Sequence, residues 1–138
     1  MLLKLKVFNF ERFRVNWTIF LVLIRIQVLS IVFFQKMKRV AVLSKSPIKG
    51  KKYRVIFEPE GRHVDFGAIG YSDYTIHKDP MRMKRYLGRH KGMHENWGPS
   101  GKLTAGWWSR WLLWSRPSLG SAIRVVAHKL NRPIRKAF

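Results

Sequence analysis

Hydrophobic positions change rhythm along this chain, and each change predicts an element. Residues 15–34 (VNWTIFLVLIRIQVLSIVFF) form a nearly unbroken apolar run, close to the ~20 residues a helix needs to cross a hydrocarbon core. Arg25 interrupts it near the middle, with Gln27 close by. A central arginine costs roughly 2.5–3.5 kcal/mol on an insertion scale while each large aliphatic returns only about 0.3–0.6 kcal/mol, so the balance is close to zero. Three readings of the segment stay open. It is a membrane- or partner-contacting helix that uses Ile19, Phe20, Leu23 and Arg25, or a buried helix or strand pair suited to its β-branched residues, or upstream sequence ahead of a start at Met37. Lys4, Lys6, Arg12 and Arg14 precede the run and Lys36, Lys38 and Arg39 follow it, so the flanking charges assign no orientation. No small-residue cleavage site follows, which disfavours a secretory signal.

Further on the period shortens to two. Residues 52–57 (KYRVIF) and 62–66 (RHVDF) alternate around the Pro- and Gly-bearing EPEG at 58–61, which predicts an antiparallel hairpin with Tyr53, Val55 and Phe57 on one face. Asp79 and Pro80 then fit the cap and first position of a helix over 80–90, with Met83, Tyr86 and Leu87 on one side. Gly92, Gly98, Pro99 and Gly101 make 91–104 a loop. In 105–114 (AGWWSRWLLW) helical spacing stacks Trp107, Trp111 and Trp114, with Trp108 and Leu112 as a neighbouring stripe. Pro117 stops that helix, Ser118 caps another over 119–130, and 131–138 reads as a basic tail. The expected fold class is α+β: a short antiparallel β-hairpin packed with about three helices, preceded by an apolar N-terminal helix. Two parts are expected, an apolar segment at 1–43 and a basic, Trp-rich α+β domain at 44–138.

Charge narrows the roles. The 138 residues carry 28 Lys plus Arg against 7 Asp plus Glu, a formal net charge of +21, where small domains usually hold about 2–8 in magnitude. Self-repulsion on that scale calls for polyanions, anionic membrane surfaces or an acidic protein lattice as partners. The cations are scattered singly, which indicates a folded surface charged all round rather than a detachable tail. Arg82, Arg85, Arg89 and Arg110 are the candidate polyanion contacts. The absence of cysteine excludes a disulfide framework, a Cys-based zinc site and a thiol nucleophile. His90 and His94 would make a metal pair only on one continuous helix, which Gly88 and Gly92 interrupt. Ser72, His77 and Asp79 lack a glycine-flanked nucleophile, and no phosphate-binding glycine loop occurs. No catalytic, metal-binding or cofactor-binding residue is therefore expected, and the chain is not expected to be an enzyme. Trp107, Trp108, Trp111 and Trp114 are assigned to packing or assembly. Four indoles in so short a stretch cannot share one narrow stripe, so Trp108 or Trp111 should meet another element or another chain.

The stretch 51–130 resembles a family of small basic proteins, without an assigned activity, from large double-stranded DNA viruses of algae of the chlorovirus type. The resemblance is carried by Lys52-Tyr53-Arg54, Val64-Asp65-Phe66-Gly67, GYSDYTIHKD at 70–79, Arg85-Tyr86, Arg89-His90, Glu95-Asn96-Trp97, TAGWWSRWLLW at 104–114, and Pro117-Ser118-Leu119. The apolar segment lies outside it. The resemblance implies a structural component of a viral particle: a minor capsid protein linking the capsid lattice to neighbouring proteins or internal membrane. Its place would be the inner face of the capsid or the membrane-proximal layer of the virion, and its partners other capsid proteins and internal membrane lipids. The alternative is a virion-packaged nucleic-acid-binding protein, since both roles need positive charge.

Overall fold

A computed structural model describes residues 17–138, in two compact units that part between Met37 and Lys38. The first unit is described by helix α1, Trp17–Lys38. No Gly or Pro interrupts it, and its stretch Trp17–Gln35 has a mean hydropathy of 2.2 with none of it buried. Ile19, Phe20, Leu23 and Arg25 are all exposed on this helix, so the segment forms no strand pair. Lys4, Lys6, Arg12 and Arg14 lie outside the described residues.

The second unit is a four-stranded sheet under a layer of helices. Its strands are β1 (Val40–Lys45), β2 (Lys51–Glu58), β3 (His63–Ala68) and β4 (Ile134–Lys136), in the order β3-β2-β1-β4. The expected hairpin is β2–β3, antiparallel with Val55 opposite Val64 and Tyr53 opposite Phe66. Two strands add to it. Residues 40–43, expected to belong with the apolar segment, form most of β1, which pairs antiparallel with β2 and parallel with β4. Ala41, Val42 and Leu43 are buried in succession, and a strand buried on both faces reads as a near-continuous apolar run, so VAVL resembles in composition the helix before it. The expected tail at 131–138 contributes β4, with Ile134 packed against the core.

Between β3 and β4 come α2 (Tyr74–His77), α3 (Pro80–Gly92), α4 (Ala105–Trp108) and α5 (Leu119–Leu130). The caps follow the sequence. Asp79 accepts from the amides of Met81 and Arg82 at 2.8 and 3.2 Å with Pro80 in the first position, and Ser118 accepts from the Ser121 amide at 3.3 Å. Ala41, Leu43, Val55, Phe57, Val64 and Phe66 on the sheet meet Trp107, Trp108, Leu112, Leu113, Ala122 and Val126 from the helices.

One turn departs from expectation. After Trp108 the backbone widens into a π turn, Ser109–Leu113, where the Trp114 amide donates to the Ser109 carbonyl at 3.1 Å. Buried positions are then 107, 108, 112 and 113, spaced by five, so the expected stripe of Trp107, Trp111 and Trp114 does not form. Trp107 and Trp108 already fill the space beneath Phe57 and Phe66, and the wider turn brings two leucines inward where α spacing would bring a third indole.

Candidate functional site

A cavity of about 470 Å³ opens between the start of β2, the end of β3, one face of α3 and α4 with the π turn that follows it. Its walls are built by two satisfied carboxylates. Asp73, only 2% exposed, accepts from Lys52 Nζ at 2.7 Å and from the amide and hydroxyl of Thr75, capping α2 as it does so. A carboxylate that deep is tolerable only when paired and hydrogen-bonded. Glu95 meets His90 Nδ1 through Oε1 at 2.8 Å and accepts from Trp97 Nε1 through Oε2 at 2.9 Å. It rests on Gly106, where a Cβ would stand 2.8 Å from Oε2.

A ladder of rings holds α3 in place. Tyr86 lies between His90 and Trp114, 4.0 Å from each and nearly parallel to the indole at 3°, and Trp114 in turn meets His77 at 5.4 Å. Burial, with the charge of Glu95 adding to it, pushes the Tyr86 hydroxyl up to about 12, so the Tyr86 ring itself stays uncharged at neutral pH. Around it stand four basic side chains, Lys51, Lys52, Arg82 and Arg89, against the two carboxylates, a formal excess of +2. Tyr71, 76% exposed, also borders the cavity.

The structure sorts the candidate residues into different surroundings. Arg82, Arg85 and Arg89 are exposed along α3, and of these Arg82 and Arg89 border the cavity. Arg110 is instead drawn into aromatic packing. Its guanidinium lies 4.2 Å from the Trp111 ring and 5.5 Å from that of Trp97, burial lowers its pKa, and among the described residues its buried Nη1 has no hydrogen-bond partner. Trp108 donates to the Lys102 carbonyl at 2.9 Å, meets Phe57 edge-on and lies tilted against Phe66. Trp111 donates to the Trp97 carbonyl at 3.0 Å while Lys129 of α5 sits 3.6 Å over its ring. Both thus meet other elements of their own chain. His90, in the last turn of α3, is paired with Glu95, whereas His94 lies beyond α3 with a positive φ of 55°. Among the described residues no group of His, Asp and Glu could hold a metal ion.

Sequence reasoning missed Lys51, Asp73 and Tyr71 as cavity residues. Asp73 had a local signal, since an Asp ahead of a short helix is a cap; the others are joined only by tertiary packing.

Over residues 41–90 the chain is similar to a family of unknown function (DUF5754). That stretch runs from β1 through most of α3, and so includes Lys51, Asp73, Arg82 and Arg89 but neither Glu95 nor the tryptophan helix. No curated protein and no solved structure matches the chain.

Proposed function

We propose that this protein is a structural component of a viral particle, a minor capsid protein whose apolar helix lies in an internal membrane and whose basic domain binds acidic neighbours in the shell. The observation that carries the reading is α1, whose 19-residue apolar stretch Trp17–Gln35 has none of its length buried. At 1.5 Å per residue it is about 28 Å long, against a hydrocarbon core of ~30 Å. The excess of cations in a chain of net charge +21 supports contact with acidic partners or anionic headgroups. The viral setting rests on the resemblance carried by residues 51–130. In a bilayer Arg25 takes a carboxylate, a headgroup or a helix interior as its partner, because a lipid-facing charge at mid-depth is costly.

Nuclease treatment of opened particles tests the proposal. A shell component stays with capsid and membrane after the DNA is digested, and its binding to uncharged vesicles survives high salt. Release with the genome would favour the alternative, a virion-packaged nucleic-acid-binding protein, for which the exposed Arg82, Arg85 and Arg89 on α3 speak.

A further inference from the structure

We infer that the cavity beside α3 is a binding site for a phosphate monoester carried on a compact body that fills the remaining space. The inference holds whether or not α1 lies in a membrane. Its first ground is how the charges are used. In a chain this basic, cations at a surface mean little by themselves, but here both carboxylates of the cavity are already engaged inside its walls. Asp73 is committed to Lys52 and Thr75, and Glu95 to His90 and Trp97. Lys51, Arg82 and Arg89 make no ion pair among the described residues. These three come from two separate elements, the first residue of β2 and two turns of α3, and all border one concave space.

The second ground is complementarity. The cavity's formal excess of +2 equals the charge of a fully ionised phosphate monoester, which carries about −1.5 to −2 at neutral pH. Guanidinium groups suit such a ligand because their forked donors match phosphate oxygens. His90 adds a ring whose Nδ1 is fixed by Glu95, which leaves Nε2 for a further contact. Size is the third ground. About 470 Å³ lies within the ~300–1,000 Å³ of small-molecule sites and far exceeds a bare phosphate. Tyr71, Leu113 and the edge of the Tyr86–Trp114 stack offer apolar surface to the remainder of the ligand.

The test is calorimetry on the full chain in zwitterionic micelles at fixed ionic strength, with adenosine monophosphate, an inositol monophosphate and inorganic phosphate as probes. The expected result is saturable one-to-one binding of at least one monoester, tighter than that of inorganic phosphate, and the better probe identifies the body. Arg82→Gln and Arg89→Gln, both at exposed positions, should each weaken it roughly tenfold or more, as loss of a charge-assisted contact does. Arg85→Gln removes the same charge from the same helix outside the cavity and should change affinity about twofold or less. Thermal melts of the three variants should match the parent. Non-saturable uptake of all probes, preference for inorganic phosphate, or equal losses in all three variants would overturn the inference, because each is what diffuse attraction to a highly cationic surface gives.

Discussion

Replacing Gly106 by Ala should destabilise the protein, against the usual sign of such a change in a helix. In a helix Ala is favoured over Gly by about 0.8–1 kcal/mol. At Gly106, however, the new Cβ would lie 2.8, 2.9 and 3.2 Å from Oε2, Cδ and Oε1 of Glu95, where ordinary contact begins near 3.4 Å. The carboxylate must retreat by about 0.5 Å, and it is held at 2.8 Å to His90 and 2.9 Å to Trp97. Hydrogen bonds to a charged group are worth about 1.5–3 kcal/mol each. Forfeiting about half of both, less the helix gain, leaves a net loss of about 0.5–2 kcal/mol. For a domain of this size each kcal/mol moves the melting temperature by about 4–8 °C. Gly88, in α3 with nothing within 4 Å of its Cβ position, supplies the internal comparison: Gly88→Ala should raise the melting temperature. Thermal melts of G106A, G88A, E95A and the E95A/G106A pair decide the matter. Without the carboxylate, adding the methyl at 106 should be neutral or stabilising. If G106A is neutral with Glu95 present, or costs the same with and without it, the assignment of Glu95 as the group that needs this glycine is wrong.

Three other outcomes are expected. Arg132 donates to both oxygens of Glu60 at 2.6 and 2.9 Å and, ahead of Arg39, draws its carboxyl from 4.5 down to about 2. The folded value lies below the unfolded one, so this stabilisation is present above about pH 4.5 and is lost as pH falls toward 2. The melting difference between the parent and Glu60→Gln should therefore shrink through that window, and a constant difference would refute the pairing. Trp108→Ala should cost about 3–5 kcal/mol in chemical denaturation, a large part of a typical stability of 5–15 kcal/mol, whereas Trp111→Ala, truncating a partly exposed ring, should cost clearly less; equal losses would contradict the packing described. Arg25→Leu in the full chain should favour partition into uncharged vesicles by roughly 3–4 kcal/mol, and unchanged flotation would remove the support for a membrane-inserted α1.

What the sequence disclosed was local. The alternation of 52–57 with 62–66, the Asp79-Pro80 start of α3 and the Ser118 cap of α5 are each decided within a few neighbouring residues, and each is found where expected. β1 was hidden because VAVL, with three successive residues buried, has the composition of the apolar helix that precedes it. β4 was hidden because three residues are too few to show alternation, and their pairing with β1 closes a separation of more than ninety positions. The cavity was half legible. Arg82 and Arg89 stood out as cations on a helix, but their convergence with Lys51, and the hydrogen bonding of Asp73 and Glu95 inside the walls, depend on packing between distant segments. Arg110 misled for the same reason, since only the fold brings Trp97 and Trp111 to its guanidinium.

The π turn at Ser109–Leu113 turns a question of residue type into one of counting. A five-residue closure is what an α-helix becomes when a single residue is inserted into it, so removing one residue there would restore a regular helix. The chain would remain continuous and hydrogen-bonded, yet every later side chain would turn by about 100° about the axis relative to the indoles before it. Leu112 and Leu113 would leave the sheet, and the ring of Trp114 would no longer face Tyr86. Length changes are usually absorbed in surface connections. Between Trp107 and Trp114 an insertion or deletion is instead equivalent to several simultaneous core substitutions. Chains that share this fold are thus expected to keep the number of residues between those two tryptophans constant even where the residues themselves are exchanged.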